Sequence, residues 1–369
     1  MTRPTEQQGA AGGTRARDLP CLLRRLALTY AIAIVAGAVA TWISLPLPWM
    51  LGPFFLFAAL SLSGLAFELM PMGREIGQVA IGTAVGLRFT GDVLIAMMTL
   101  LPAMLLATGY VIAFTMLAAF LIRPLARLDP NTAFFATAAG GMADMAHVAE
   151  RHGGQPGSVA VVHSMRVSLV VAVVPVLVFY FGEHGSTIPS QGHSPDNLLL
   201  VAVALCAGFL GARVLKGSPL PNRWLSGPIL AGMVLGVTGL VQVTIPGVII
   251  VIAQIALGTW LGCRFQRSML AALPRVTAAA VVISVYMIVC AAAGAVALSS
   301  MTGLSYVTSF LALAPAAVTE MVLTAQVMNL DAEVVSAFHV MRIVVIASTI
   351  LLTFKLYRRI REITVGSGS

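Results

Sequence analysis

Asp144 and Glu320 are the two acids in this chain placed to do chemistry. They lie in "AAGGMADMAHVAE" (138–150) and "APAAVTEMVLTAQ" (314–326), each just after a helix-breaking patch in an apolar stretch. A carboxylate at the centre of a bilayer costs about +3 kcal/mol on insertion scales, so an acid kept there calls for a function. The chemistry such an acid offers is binding of a coupling proton, a sodium ion or a cationic group. The competing reading is a structural ion pair at a helix cap near the interface. Each acid is followed by a His and an Arg spaced i, i+3 and so on one helix face: His163 and Arg166, then His339 and Arg342. The arginines either offset the acids, hold an anionic substrate, or snorkel from a helix end to the interface. The histidines either relay protons or are hydrogen-bonded interfacial side chains. Gln78 and Gln254, with Thr83 and Thr259, sit in glycine-rich segments. They are either packing residues or a polar lining.

The breaks that must position these groups are Gly140-Gly141 and Pro315. They interrupt a chain of 369 residues that is 59% hydrophobic and 10% charged, against about 25% charged in soluble domains. Apolar runs recur from Ala27 to Thr353, near the ~20 residues that a spanning helix needs. The class is all-α polytopic membrane protein. The net charge of +8 is not a nucleic-acid signal. Arg3, Arg15, Arg17, Arg24 and Arg25 precede the first span, and Lys355, Arg358, Arg359 and Arg361 follow the last. The positive-inside rule produces that placement. The four cysteines are dispersed, which indicates neither a disulfide framework nor a zinc site. No protease, hydrolase or P-loop motif appears, so no catalytic residue, metal or cofactor is expected.

The chain reads as a duplication. "QVAIGTAVGLRF" from Gln78 aligns with "QIALGTWLGCRF" from Gln254. The same displacement carries Asp144 onto Glu320 and "HSMR" from His163 onto "HVMR" from His339. The expected organisation is a disordered cytoplasmic tail at 1–20, repeat 1 at 21–183, an external linker at 184–196, repeat 2 at 197–356 and a cytoplasmic tail at 357–369. Each half carries five apolar runs and one broken element, at 131–150 and near 305–326. Lys and Arg placement favours cytoplasmic termini and broken elements that enter and leave on one side, with Arg88 as the clear exception. That arrangement gives about ten transmembrane helices plus two broken or re-entrant elements, and an odd number of spans per half inverts the second repeat. Inverted repeats with interrupted helices are a common secondary-transporter architecture.

The stretches "GGMADMAHVAERHG", "SVAVVHSMRVSLVVAVVP" and "APAAVTEMVLTAQVMNLDAEVVSAFHVMRIVV" resemble the membrane AbrB duplication family. That family carries two copies of a P-G-G-x-x-E-M-like motif, each followed by a span with an arginine. Here Ala139 replaces the proline of the first copy, Ala316-Ala317 replace the glycines of the second, and Asp144 stands where glutamate is common. The resemblance implies the labels of the family, an ammonia monooxygenase or a regulator of gene expression. The residues support neither directly, with no metal-ligand cluster and no soluble DNA-binding module. By architecture the family looks like inverted-repeat carriers related to cation/proton antiporters and bile-acid-type symporters, an analogy of fold alone.

The expectation is a bacterial inner-membrane secondary transporter of a small solute, coupled to a proton or sodium ion. Its partners are the solute, the ion and the lipid bilayer, with no nucleic acid and with a homodimer left open. Its binding residues are Asp144, Glu320, Arg166, Arg342, His163, His339, Gln78 and Gln254. The alternative is a membrane-embedded, ligand-binding regulator, and behind it a membrane monooxygenase.

Overall fold

A computed structural model describes residues 19–182, 197–218, 222–241, 243–265 and 267–366. Residues 1–18, with Arg3, Arg15 and Arg17, and residues 183–196 lie outside the described residues, and so do most of the expected front tail and linker. Every regular element among the described residues is an α-helix. The helices are α1 (Leu19–Trp42), α2 (Pro48–Leu62), α3 (Gly73–Gly86), α4 (Gly91–Ala126), α5 (Pro130–Thr137), α6 (Met142–Arg151) and α7 (Pro156–Phe181). There follow α8 (Leu198–Val214), α9 (Arg223–Thr238), α10 (Gly247–Gly262), α11 (Arg267–Ala272), α12 (Pro274–Thr302), α13 (Tyr306–Leu313), α14 (Val318–Val327) and α15 (Ala332–Gly366). The segment expected as a back tail, 357–369, continues α15 as helix to Gly366.

Five of these helices, α1, α4, α7, α12 and α15, are long and apolar enough to cross a bilayer, which fits a multi-pass membrane protein. Five more, α2, α3, α8, α9 and α10, have 14 to 17 residues. At 1.5 Å per residue they reach only about 21–26 Å, short of a hydrocarbon core of ~30 Å.

Two packed groups organise the chain. One contains α1, α2, α3, α8, α9 and α10, and the other contains α4 to α7 and α12 to α15. Within the first group, backbones approach at glycines. A Cβ on Gly82 of α3 would lie 2.8 Å from the Leu225 carbonyl of α9, and one on Gly258 of α10 would collide with the Met50 carbonyl of α2. Gly82 and Gly258 are equivalent positions of the two repeats. Apolar helices in lipid gain little from hydrophobicity, so close backbone contact through small residues is the available source of attraction. The Gly-Pro pairs at 52–53 and 227–228 sit inside α2 and α9 and do not end them.

The second group is tied by a reciprocal pair of hydrogen bonds. Tyr110 of α4 donates its hydroxyl to the Cys290 carbonyl of α12 at 2.8 Å, and Tyr286 of α12 donates to the Phe114 carbonyl of α4 at 3.4 Å. These contacts run α4 and α12 antiparallel. The stacking of Arg74 on Trp260 and of Gly77 against Ala253 and Leu257 does the same for α3 and α10.

The broken elements are helical hairpins, α5–α6 and α13–α14. Their bounds coincide when the first repeat is laid on the second by the displacement that carries Asp144 onto Glu320. Each starts with a side-chain cap, Asp129 accepting from the Thr132 N–H at 2.9 Å and Ser305 accepting from the Thr308 N–H at 3.0 Å. Capping satisfies one of the free N–H groups of a helix start. Each chain then turns back. Thr132, at the start of α5, accepts from the Gln155 N–H at 2.7 Å, and Asn131 donates to the His152 carbonyl at 2.7 Å, so the entry and exit of the first hairpin adjoin. In the second, Thr308 donates to Asp331, just before α15, at 3.4 Å.

The turns do not depend on glycine. Ala138 and Gly141 adopt φ/ψ of −52/141° and −66/137°, and Ala314 and Ala317 adopt −54/132° and −70/144°. All four are ordinary extended conformations open to any residue. In the second hairpin Pro315 drives Ala314 out of the helical region. The break at Gly140-Gly141 therefore owes nothing to the conformational freedom of glycine, because "APAA" forms the same break without it.

Candidate functional site

Each hairpin tip is fastened by the His and Arg of the helix that follows. Arg166 of α7 donates from Nη1 to the Thr137 and Ala138 carbonyls, both at 3.1 Å, and from Nη2 to His163 Nδ1 at 3.1 Å. His163 Nε2 lies 3.0 Å from the Phe135 carbonyl. In the second copy Arg342 donates to the Ala314 carbonyl at 2.9 Å, to the Ala316 carbonyl at 3.4 Å and to His339 Nδ1 at 2.7 Å. His339 Nε2 is 2.9 Å from the Leu311 carbonyl. All four side chains are buried.

The geometry fixes the imidazole tautomer. A guanidinium can only donate, so Nδ1 accepts and the proton sits on Nε2, directed at a carbonyl. Both ring nitrogens are thereby engaged in a neutral ring. The arginines satisfy carbonyls freed where α5 and α13 end, and their charge faces the negative end of those helix dipoles. The Nη groups are used on carbonyls and histidine, not on Asp144 or Glu320.

The two acids occupy equivalent first turns and different surroundings. Glu320 is buried, 6% exposed, and its Oε2 has no hydrogen-bond partner. The cations whose fields reach it are Arg74, in the first turn of α3, and Arg264, just beyond α10. Beside it, Gln78 of α3 donates from Nε2 to Thr319 Oγ1 at 3.1 Å, which seats α14 on α3. Asp144 is exposed, and no comparable packing joins α6 to α10 among the described residues. Gln254, the counterpart of Gln78, is buried with its Oε1 unpartnered. Thr83 and Thr259 are fully buried, Thr83 beside Gly208 of α8.

Three residues join this centre that the sequence reading did not place there. Arg264 reaches across to the first hairpin. Its Nη2 lies 2.8 Å from Met142 Sδ and 3.3 Å from Ser164 Oγ. Trp260 carries two guanidiniums on its ring system, Arg74 at 4.2 Å and Arg264 at 4.8 Å from the ring centroid. The signal was present as a break in the repeat: the counterparts of Arg74 and Trp260 are Ile250 and Ala84. Arg88, the counterpart of Arg264, sits at the opposite end of the antiparallel α3–α10 pair and is ion-paired to Glu333 of α15 at 3.4 Å. The position equivalent to Glu333 is Gly157, so Arg264 has no such partner. Among the described residues no group of three or more His, Cys, Asp or Glu could hold a metal ion.

The centre thus gathers the starts of α6 and α14, one buried acid, one glutamine–threonine pair and two guanidiniums. Two known proteins resemble most of the chain. A protein of Bacillus subtilis (strain 168) named "Uncharacterized protein YhjN" is 24% identical over 347 residues, covering 86% of this chain and 88% of its own length. A protein of Escherichia coli (strain K12) named "Putative regulator AbrB" is 23% identical over 308 residues, covering 82% of this chain and 87% of its own length. The family described as "Transition state regulatory protein AbrB" matches residues 2–123 and 65–358. The chain belongs to the AbrB family.

Proposed function

We propose that this protein is a secondary transporter of a small solute, coupled to a proton or sodium ion, in the bacterial inner membrane with both termini cytoplasmic. The observation that carries the reading is the pair of hairpins with one stapled architecture and two different degrees of docking. Two further features support inverted repeats: the matching bounds of the two hairpins, and the antiparallel crossings of α3 with α10 and α4 with α12. Interrupted helices near the midplane of inverted repeats form solute and ion sites in carriers. Non-helical backbone at such depth survives only in protein or beside a water-filled cavity.

In this reading Glu320 binds the coupling ion and Asp144 is its counterpart in the other half-cycle. Gln78 and Gln254 are the docking positions for the second and first hairpins. Arg166, Arg342, His163 and His339 are positioning residues that keep the tips folded while the hairpins dock and undock. The helices α1–α3 and α8–α10 form a panel against which the other group moves. The name of the Escherichia coli relative favours a second reading, a ligand-binding membrane regulator.

A thermal-shift series over pH and sodium, on wild type, Glu320→Gln and Asp144→Asn, tests the coupling role. A ligand of the native state raises Tm by mass action. The expected result is a pH- or sodium-dependent Tm in wild type that is flattened in Glu320→Gln. A flat profile in wild type, or an unchanged one in the variant, contradicts it.

A further inference from the structure

We propose that the solute is an organic carboxylate, held by Arg264 and Arg74 between the starts of α6 and α14. This inference rests on the carrier reading and supplies its substrate class.

The local charge is unbalanced. Arg74 and Arg264 repel each other, and the field of Glu320 reaches both. That acid bonds to neither, since Oε2 is unpartnered and no ion pair joins it to either guanidinium among the described residues. Among the described residues, the groups bonded to or stacked on Arg264 are a thioether, a hydroxyl and an indole ring. These hold a guanidinium in place without neutralising it. Asp144, in the first turn of α6, is exposed and is not among the charges that act on Arg264, so Arg264 and Arg74 share Glu320 as their nearby acid. The starts of α6 and α14 each add the partial positive charge of a helix N-terminus. The remaining cations near the tips, Arg166 and Arg342, are already committed to carbonyls.

The repeat supplies an internal control. Arg88 is the same residue in the other half and carries a fixed acid, Glu333, where Arg264 has Gly157 at the equivalent position. The missing protein carboxylate is the one the solute brings. A planar carboxylate fits a guanidinium fork through two parallel N–H···O bonds.

Proton coupling follows from the same geometry. Glu320 on α14 competes with the solute carboxylate for Arg74 on α3 and Arg264 beyond α10. Arg342 and His339 on α15, and Arg166 and His163 on α7, are bonded to the hairpin tips and stay out of that competition. A proton taken up by Glu320 removes the competitor, so solute and proton bind together.

The test is isothermal titration of purified full-length protein with benzoate and succinate. Benzamide and succinamide serve as neutral isosteres, benzylamine as a cation and inorganic phosphate as a non-carboxylate anion. The expected result is binding of a carboxylate at least tenfold tighter than its amide. That affinity falls at least tenfold in Arg264→Gln and in Arg74→Gln, and by much less in Arg88→Gln, which touches the site only through the seating of the second hairpin. In Glu320→Gln it is retained and no longer tightens as pH falls. A preference for the amine, the amide or phosphate overturns the proposal, and so does equal loss in Arg88→Gln. The comparison of ligands on wild type needs no variant to fold. Carboxylate binding at Arg264 without flux in liposomes would sink the carrier reading and leave the site. Gradient-driven flux of a neutral or cationic solute would sink the site and leave the carrier.

Discussion

The first and second hairpins share their helix bounds, their caps and their His–Arg staple, yet one is seated and the other is not. The second presses Glu320 and Thr319 against α3, while the first leaves Asp144 exposed. The difference separates two jobs. The staple ties each hairpin to the helix that follows it and recurs in both copies, so it belongs to folding. Docking acts between the two helix groups and differs between copies, so in the proposed carrier it belongs to the moving part. Two equivalent hairpins, one seated and one exposed, supply the asymmetry that alternating access requires of the proposed carrier.

The largest effect expected from this comparison is loss of a staple. Arg342→Ala leaves buried tip carbonyls without donors, at a cost of about 3 kcal/mol, and Arg166→Ala costs the same. Unfolding of both variants in detergent checks it. Equal losses fit a staple common to both hairpins. A loss at Arg342 alone ties the residue to docking and breaks the comparison.

Next is the ion pair that accompanies the seated hairpin. Arg88 and Glu333 are 25% and 14% exposed, so the bridge contributes about 1 kcal/mol. Glu333→Gln therefore shifts the second hairpin toward the unseated state. Glu320→Cys, in a background lacking Cys21, Cys206, Cys263 and Cys290, should react with maleimide severalfold faster when Glu333→Gln is added. Asp144→Cys in the same background should react fast with or without it. An unchanged rate for Glu320→Cys would show that the ion pair does not hold the hairpin.

The smallest effect concerns the glycines. A Cβ on Gly140 meets the flexible end of Met145 at 2.7 Å, and one on Gly141 meets Asp144 Oδ2 at 2.6 Å. Neither glycine has a positive φ, and Ala316-Ala317 occupy the same turn in the second copy. Gly140→Ala and Gly141→Ala should each change stability by no more than about 0.5 kcal/mol, read from detergent unfolding. A larger loss would mean that the first tip bends in a way the second does not.

Much of the frame is legible in the sequence. The displacement that carries Gln78 onto Gln254 also carries the hairpin bounds from one half to the other, because equal sequence blocks make equal helices. The five long apolar helices were legible from apolar length, whereas the other five runs form helices of 14 to 17 residues, of which α3 has most of its residues buried. The role of Arg166 and Arg342 was not legible. Their partners are main-chain carbonyls, and a carbonyl leaves no mark on the sequence. The exposure of Asp144 was hidden too, since it depends on how far two helix groups are apart. Arg88, the exception to the charge rule in the expected orientation, pairs with Glu333, a contact between different halves of the chain that the sequence does not mark.

The most direct test of the central claim is flux in proteoliposomes. Wild type should accumulate a labelled carboxylate when a pH or sodium gradient is imposed. Glu320→Gln should lose that accumulation while still exchanging labelled for unlabelled solute, because the hairpins still move but the coupling site is gone. Accumulation by Glu320→Gln at the wild-type rate, or no flux by correctly inserted wild type across the carboxylate, amide and amine series, would contradict the account.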